Sequence, residues 1–196
     1  MNRGERIANR TKSAIKQALL ELIREKNYPD ITVGEITKRG DVGRSTLYRH
    51  YQSKADILVD IHRDIFEPLF SVMSSRGAWH DPQPPTEWVV FLEKHQRLGR
   101  NPFSLSYKLG NDLDYLVNNI NGQLAKTIEE KLRDSYTDED CSMPLELLAQ
   151  SVCASYSGLI ISWFTKFQSI DAYSFAGYIH RILGALIREA VGGKTD

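Results

Sequence analysis

The 196-residue sequence has few cysteines and no long uninterrupted apolar segment. Its two cysteines, Cys141 and Cys153, form no CxxC pair, so nothing indicates a disulfide framework or secretion. No apolar run approaches the ~18 residues that a membrane span needs. The N-terminal letters MNRGERIANRTKS lack the apolar core of a signal peptide. We therefore expect a cytoplasmic protein with no membrane partner.

Signatures of catalysis and of metal binding are also missing. The sequence contains no Gly-rich phosphate loop, no HExxH motif and no nucleophile elbow. His62, His80 and His180 have no metal-ligand spacing, and the acidic segment 138–140 is typical of a solvated loop. The sequence therefore predicts no catalytic residue, no metal and no cofactor, with a helical enzyme as the remote alternative.

The formal net charge of zero hides an asymmetry along the chain. Residues 1–60 carry twelve Lys and Arg against eight Asp and Glu, and the remainder carries thirteen against seventeen. A basic N-terminal part and an acidic remainder suit a protein whose N-terminal part approaches phosphate groups.

Apolar periodicity predicts an all-α protein of about nine helices, because apolar residues recur at helical spacing and no strand pattern occurs. We expect an N-terminal three-helix helix-turn-helix domain at residues 1–53. Residues 54–196 would form a second helical domain, whose first helix connects the two.

Local signals place the breaks between these helices. Residues 1–9 are predicted to be a disordered basic arm, in which Arg3 and Arg6 either reach DNA or belong to a frayed terminus. A Gly- and Pro-rich loop is predicted at 77–85, and a short helix at 102–109.

The stretch from Thr32 to Leu58 organises the chain. Thr32 and Glu35 have the spacing of a capping box at the start of a short helix. A turn follows, and the next helix, at about 44–50, would be the reader helix that enters a DNA groove. Lys54 falls in the first turn of the helix after it, where free N–H groups and the helix dipole favour phosphate.

This stretch resembles the TetR/AcrR family of bacterial transcriptional regulators. Ten residues match the family pattern at fixed offsets over 27 positions: Thr32, Ile36, Val42, Thr46, Leu47, Tyr48, His50, Tyr51, Lys54 and Leu58. The chain departs from the family at the turn, where it has Gly40-Asp41-Val42-Gly43 instead of Ala-Gly-Val-Ser. Asp tolerates positive φ better than most residues, so we expect the turn to survive.

The resemblance implies that Tyr48 and His50 contact phosphates and anchor the reader helix, with Lys54 doing the same. Such contacts set affinity and register without reading sequence. Base reading would then fall to Arg44, Ser45 and Arg49. Two residues have open assignments, since Thr46 suits either role and Thr32 is either a phosphate contact or only a helix cap. Tyr51 is expected in the core.

The last two helices are apolar around more than half of their circumference, which predicts burial against a second copy in a two-fold four-helix bundle; a central helix pair in a monomer is the alternative. The predicted interface residues are Ser157, Gly158, Ile161, Phe175, Ile179, Leu183 and Leu186. Such a dimer would present two reader helices about 34–36 Å apart to a near-palindromic operator in double-stranded DNA.

The resemblance also implies that residues 54–196 form a helical effector and dimerisation domain. A small-molecule or protein effector bound there would regulate the readers by favouring one of two conformations. Candidate pocket residues are Trp88, Phe91, His95, Phe103, Tyr107, Tyr115 and Trp163, each of which can also be ordinary core. The sequence therefore predicts a dimeric, ligand-responsive repressor. The alternative is a co-regulator or activator of the same fold that answers to a protein partner or a substrate-linked signal.

Overall fold

The computed structural model describes residues 3–97 and 110–192. These residues form nine α-helices and no strand, so the predicted all-α fold is confirmed. The helices are α1 (Arg3–Glu25), α2 (Val33–Arg39), α3 (Arg44–Tyr48), α4 (Lys54–Ser71), α5 (Arg76–His80), α6 (Thr86–Arg97), α7 (Leu113–Arg133), α8 (Leu145–Thr165) and α9 (Ala172–Gly192). The helix predicted at 102–109 lies outside the described residues.

The chain divides into two compact units, each described by itself below. Unit 1 comprises Met1–His62 and Ser104–Asn119, and unit 2 comprises Arg63–Phe103 and Ile120–Asp196. The division at residue 53 into a DNA-binding and an effector domain stays a prediction about function.

The first helix begins at Arg3, within the segment 1–9 that was predicted to be a disordered arm. Residues 3–9 of that segment are the first two turns of α1. No proline interrupts the segment, and the Thr11 hydroxyl donates to the carbonyl oxygen of Ile7 one turn back. The segment is therefore a helical extension of α1, and its side chains are mostly exposed.

Unit 1 is built on one small apolar core, to which α1, α2, α3 and α4 all contribute. Its fully buried side chains include Ile15, Leu19, Ile36, Leu47, Ile57 and Leu58. At the turn after α2, a Cβ built on Gly40 would lie 3.2 Å from the carbonyl oxygen of Ile36 and 3.3 Å from that of Ala14. Asp41 has φ 49°, the left-handed conformation that Asp tolerates, so the turn survives its departure from the family pattern.

Unit 2 contains a helix where the sequence predicted a loop. Residues 77–85 were expected to be irregular, but α5 spans Arg76–His80, and the Ser75 hydroxyl caps it by accepting from the N–H of Ala78. Trp79 is buried and anchors the helix. α5 also approaches α9 closely, because a Cβ built on Gly184 would lie only 2.7 Å from the carbonyl oxygen of Trp79.

Helix α8 supplies much of the core of unit 2. It is the one helix in the described ranges that is long and apolar enough to cross a membrane by length and composition. That observation is weak evidence for a span, because the core helix of a soluble protein passes the same test. Nine of its side chains are buried in this fold: Leu145, Leu148, Ala149, Val152, Cys153, Tyr156, Ile160, Trp163 and Phe164.

Candidate DNA-binding site

The reader helix α3 is five residues long and is held by one apolar side chain. Leu47 is fully buried, while Arg44, Ser45 and Arg49 are exposed and Tyr48 keeps 52% of its surface accessible. Thr46 and His50 are half-buried. Gly43 precedes the helix and gives it no side-chain cap. The exposed face therefore offers two guanidinium groups, a hydroxyl and a phenol to a partner.

The predicted capping box at the start of α2 is formed. The Thr32 hydroxyl accepts from the N–H of Glu35 at 3.3 Å, and the Glu35 carboxylate accepts from the N–H and the hydroxyl of Thr32, each at 2.9 Å. A hydrogen bond from Lys26, followed by those from Thr32, lowers the pKa of Glu35 to about 2. The donors of Thr32 are thus used within the fold, which favours its capping role over a phosphate contact.

Lys54 is held within unit 1 by backbone carbonyl groups. Its ammonium donates to the carbonyl oxygens of Tyr28, Pro29 and Ile31 at 2.8, 3.1 and 3.0 Å. It also lies 4.3 Å from the centroid of the Tyr28 ring. Burial lowers its pKa. Because an ammonium has three donors and all three are used, the geometry argues against the predicted phosphate contact through this group.

Part of the phosphate site expected at the start of α4 is also occupied. The Asp56 carboxylate accepts from the N–H groups of Gln52 and Ser53 at 2.9 Å each, and the Ser53 hydroxyl accepts from the N–H of Asp56 at 3.2 Å. This is a second capping box, and it places a negative charge where a phosphate was expected. The sequence carries the signal of this box in Ser53 followed three residues later by Asp56, and it was the role of Asp56 that was not predicted.

We call residues 44–50, α3 and the two residues after it, the reader segment. Tyr51 follows this segment and lies in the core as predicted, with 5% of its surface exposed. Its hydroxyl donates to the Asp60 carboxylate at 2.6 Å, and the Lys16 ammonium lies 3.4 Å from the same oxygen. This buried polar group joins α1 and α4 to the end of the reader segment. The Asp60 carboxylate thus has two partners, and the buried tyrosine hydroxyl is hydrogen-bonded.

The Lys and Arg residues of unit 1 fall into two groups. Five interact within the fold: Lys12 lies over the Tyr51 ring, Lys16, Lys26 and Arg39 pair with carboxylates, and Lys54 binds carbonyls. In the other seven the side chain is exposed and forms no hydrogen bond or ion pair within residues 3–97 and 110–192: Arg3, Arg6, Arg10, Arg24, Lys38, Arg44 and Arg49. Only the second group is available to neutralise phosphate without breaking a contact of the fold.

The structure corrects three of the predicted dimer residues. Phe175, Ile179 and Leu183 are buried in the core of their own unit. Leu186 is half-buried against that core, and the half-buried Ser157 donates a hydrogen bond to Asn121 at 3.2 Å. Of the seven predicted residues, Gly158 and Ile161 are exposed. The arc of α9 that was predicted for the interface faces the core instead. Both arcs of that helix carry apolar residues, so the sequence alone did not distinguish them.

Two of the predicted pocket residues are ordinary core of unit 2. Trp88 is buried, and its indole N–H donates to the carbonyl oxygen of Leu69 at 2.7 Å. Trp163 is also buried and stacks on Phe175 with ring centroids 4.9 Å apart. Their polar atoms and ring faces are therefore satisfied within the protein.

The other pocket candidates divide three ways. Phe91 and His95 are half-buried with rings 4.2 Å apart, and burial lowers the pKa of His95. Tyr115 belongs to unit 1, is exposed and donates to the Asp56 carboxylate, so its assignment to a pocket of the second domain was wrong. Phe103 and Tyr107 lie outside the described residues. Across the described ranges no group of three or more His, Cys, Asp or Glu could hold a metal ion.

Comparison with known proteins gives matches to the N-terminal part of the chain. Residues 15–61 match the model of the family described as bacterial regulatory proteins, tetR family. A stretch of 50 residues is 38% identical to the uncharacterized HTH-type transcriptional regulator YxbF of Bacillus subtilis (strain 168). That stretch is 25% of this chain and 13% of YxbF, so the chain matches only a small part of that relative's length.

Solved structures share the fold over most of both chains. A TetR transcriptional regulator from Streptococcus agalactiae 2603V is 25% identical, with a TM-score of 0.52 over 92% of this chain and 97% of that one. Thermus thermophilus FadR, a TetR-family transcriptional repressor solved with lauroyl-CoA, is 19% identical, with a TM-score of 0.57 over 88% and 92%. A putative TetR-family regulator from Syntrophomonas wolfei is 17% identical, with a TM-score of 0.55 over 89% and 95%. The resemblance predicted from the sequence is therefore confirmed: residues 15–61 match the N-terminal module of the tetR family, and the chain shares the all-helical fold of solved TetR-family regulators.

Proposed function

We propose that the chain is a sequence-specific, DNA-binding transcriptional regulator that acts as a dimeric, ligand-responsive repressor in the cytoplasm. The observation that carries this proposal is the reader surface, where Arg44, Ser45 and Arg49 are exposed around a buried Leu47. Arginine donates two parallel hydrogen bonds to guanine O6 and N7 in the major groove, which is the commonest specific contact. Tyr48 and His50 flank these residues and would position the helix on the backbone.

The DNA-binding proposal is tested with a mobility shift on the intergenic DNA upstream of the chain's own gene. We expect wild type to bind this DNA selectively and with strong salt dependence. Arg44→Ala/Arg49→Ala should lose selectivity by roughly 1–3 kcal/mol for each guanine contact. Arg24→Ala, an exposed and unpaired arginine at the other end of α1, is the matched control and should bind like wild type. Selective binding that survives the double substitution would refute the reader assignment.

Dimerisation is proposed through an outer face of α8 and α9 that keeps apolar side chains exposed. On α8 this face comprises Leu147, Ala154, Gly158 and Ile161, at steps of seven, four and three. On α9 it comprises Tyr178, Ile182 and Ala185, at steps of four and three. A second copy meeting the same face about a two-fold axis would form a four-helix bundle with small residues at its close approaches.

The dimer is tested by light scattering on the eluted protein. Wild type should have twice the 22.4 kDa mass of the chain. Ile161→Asp/Ile182→Asp buries two charges per protomer in the proposed interface and should give monomers. Phe167→Asp replaces an equally exposed apolar residue just beyond the end of α8 and should leave the dimer intact. A dimer that persists in the double variant would place the interface elsewhere.

Regulation by a small molecule is proposed for unit 2. The solved Thermus relative is a repressor in complex with lauroyl-CoA, which supports an effector of this kind for proteins of this fold. The half-buried pair Phe91 and His95 is the part of the predicted pocket that keeps partly accessible rings. Loss of operator binding on adding acyl-CoA would support the proposal. An effector response only to a protein fraction would favour the co-regulator alternative.

A further inference from the structure

The helical extension of α1 carries an unpaired basic face. Arg3, Arg6 and Arg10 follow one another at steps of three and four, which places them on one side of the helix. All three are exposed, and the described part of the chain gives none of them an ion pair. The one acidic residue of the segment, Glu5, lies about 100° or more around the helix from each arginine, at 100° per residue. We call Arg3, Arg6 and Arg10 the arginine ridge.

The arginine ridge continues the face of α1 that meets the helix-turn-helix turn. One turn beyond Arg10 on the same face is Ala14, whose carbonyl oxygen would lie 3.3 Å from a Cβ on Gly40. On the other side of the helix, two residues before Ala14, the Lys12 ammonium lies 5.9 Å from the ring centroid of Tyr51. Residues 12–14 of α1 thus neighbour the turn before the reader helix and the residue after the reader segment.

The distance along the helix sets where the ridge lies relative to that contact. At 1.5 Å per residue, Arg10 is about 6 Å and Arg3 about 17 Å from Ala14 along the α1 axis. Successive phosphates of one DNA strand advance about 3.4 Å along the duplex axis. The ridge therefore spans a length, from about 6 to about 17 Å beyond that contact, that corresponds to a few phosphate steps of one DNA strand.

We propose that the arginine ridge binds the backbone phosphates of the base pairs flanking the half-site read by α3. This inference rests on the proposed DNA-binding function and adds to it a second contact surface outside the helix-turn-helix. A guanidinium group pairs with phosphate through two parallel hydrogen bonds, and such contacts are independent of sequence. Since the segment is already helical, binding requires no further ordering of its backbone.

The inference predicts a change in salt dependence. The logarithm of the binding constant falls with the logarithm of salt concentration by about 0.9 per neutralised phosphate. A dimer carries six ridge arginines, so Arg3→Gln/Arg6→Gln/Arg10→Gln should make this slope less negative by up to about 5. Arg24→Gln removes an exposed, unpaired arginine from the other end of α1 and should leave the slope unchanged.

The experiment uses the full chain and two fluorescein-labelled duplexes cut from the upstream DNA of its gene. One is the minimal operator defined by nuclease footprinting, and the other carries eight more native base pairs at each end. We expect wild type to bind the long duplex at least about tenfold more tightly than the minimal one, and the triple variant to bind both equally. Circular dichroism melting confirms that the triple variant is folded.

Each outcome decides between the inference and the function on which it rests. If wild type binds neither duplex selectively, the proposed function fails. If wild type binds selectively but the triple variant keeps both the preference for the long duplex and the salt slope, only the arginine ridge is refuted. If the triple variant loses affinity equally for both duplexes, the ridge contacts the operator itself and the flanking assignment is overturned.

Discussion

Replacing Lys54 with methionine separates two roles for this side chain, a clamp within the fold and a contact to DNA phosphate. In the structure its ammonium donates to the carbonyl oxygens of Tyr28, Pro29 and Ile31. Methionine keeps an unbranched stem that can still pack on the Tyr28 ring, but it has no donor. Lys54→Met therefore removes the hydrogen bonds and the charge while preserving most of the apolar contact.

The expected loss of stability follows from these contacts. A hydrogen bond from a charged donor contributes roughly 1.5–3 kcal/mol, and less where water can replace it. The bond to Pro29 is exposed, whereas those to Tyr28 and Ile31 are partly buried. The cation over the Tyr28 ring adds about 0.5–1 kcal/mol. We expect Lys54→Met to lower the free energy of unfolding of unit 1 by about 2–4 kcal/mol.

The assay must report on unit 1 alone, so we choose hydrogen exchange of the amides in α2 and in the part of α4 from Lys54 to His62. A loss of about 2–4 kcal/mol should raise the exchange rate of the most protected amides by roughly 30- to 1,000-fold. The salt slope of DNA binding should stay that of wild type, because a clamp neutralises no phosphate. Lys38→Met, which removes an exposed and unpaired lysine, should change stability by less than about 0.5 kcal/mol.

The opposite pattern would refute this reasoning. If Lys54→Met exchanges like wild type and makes the salt slope less negative by about 2 per dimer, Lys54 binds phosphate in solution and the carbonyl clamp is not its main role.

Two further substitutions test other contacts. Glu35 has a pKa of about 2 in the folded state against an ordinary value of 4.5, so its stabilising contribution is fully present above pH 4.5 and is lost as the pH falls towards 2. Glu35→Gln should therefore make the stability of the protein depend less on pH between 4.5 and 2, as measured by unfolding followed with circular dichroism. Gly184→Ala places a methyl group 2.7 Å from the Trp79 carbonyl oxygen and should cost about 1–3 kcal/mol in urea unfolding, whereas Gly177→Ala, with open space around it, should be neutral or stabilising.

Of the two capping boxes in unit 1, local sequence predicted one and not the other. The box from Thr32 to Glu35 was predicted and is formed. The box from Ser53 to Asp56 has equivalent spacing, but the positive charge of Lys54 in the first turn of α4 favoured the prediction of a phosphate site there. The Asp56 carboxylate, two residues later, occupies part of that site, because it binds the N–H groups of Gln52 and Ser53 and brings a negative charge there.

In helices α8 and α9, apolar periodicity does not determine which side of the helix is buried. Apolar residues lie on two arcs of each helix, and either arc satisfies the spacing of a buried face. Burial assigns Phe175, Ile179 and Leu183 to the core of the chain and leaves Tyr178 and Ile182 exposed. Only the tertiary fold makes this choice, since it depends on which neighbouring helix is present.

Helix α5 could not be inferred from nearby residues for a related reason. Gly77 and the prolines after it favour a loop. The helix depends on burial of Trp79 and on close approach to Gly184, more than 100 residues further along the chain. A glycine inside α9 has no distinguishing local signal, because its role is to leave room for a backbone that is distant in sequence.

The twelve Lys and Arg of residues 1–60 show most directly what the fold adds to the interpretation of function. The sequence predicts a basic surface from their number, but the fold uses five of them, including Lys54 and Arg39, in contacts that stabilise unit 1. A cation already bound to a carboxylate or carbonyl cannot release DNA counterions without losing that contact. The salt dependence of binding should therefore follow the unpaired residues other than the control residue Arg24, rather than the formal charge. Of these seven, six lie either on the arginine ridge or between the end of α2 and the end of the reader segment.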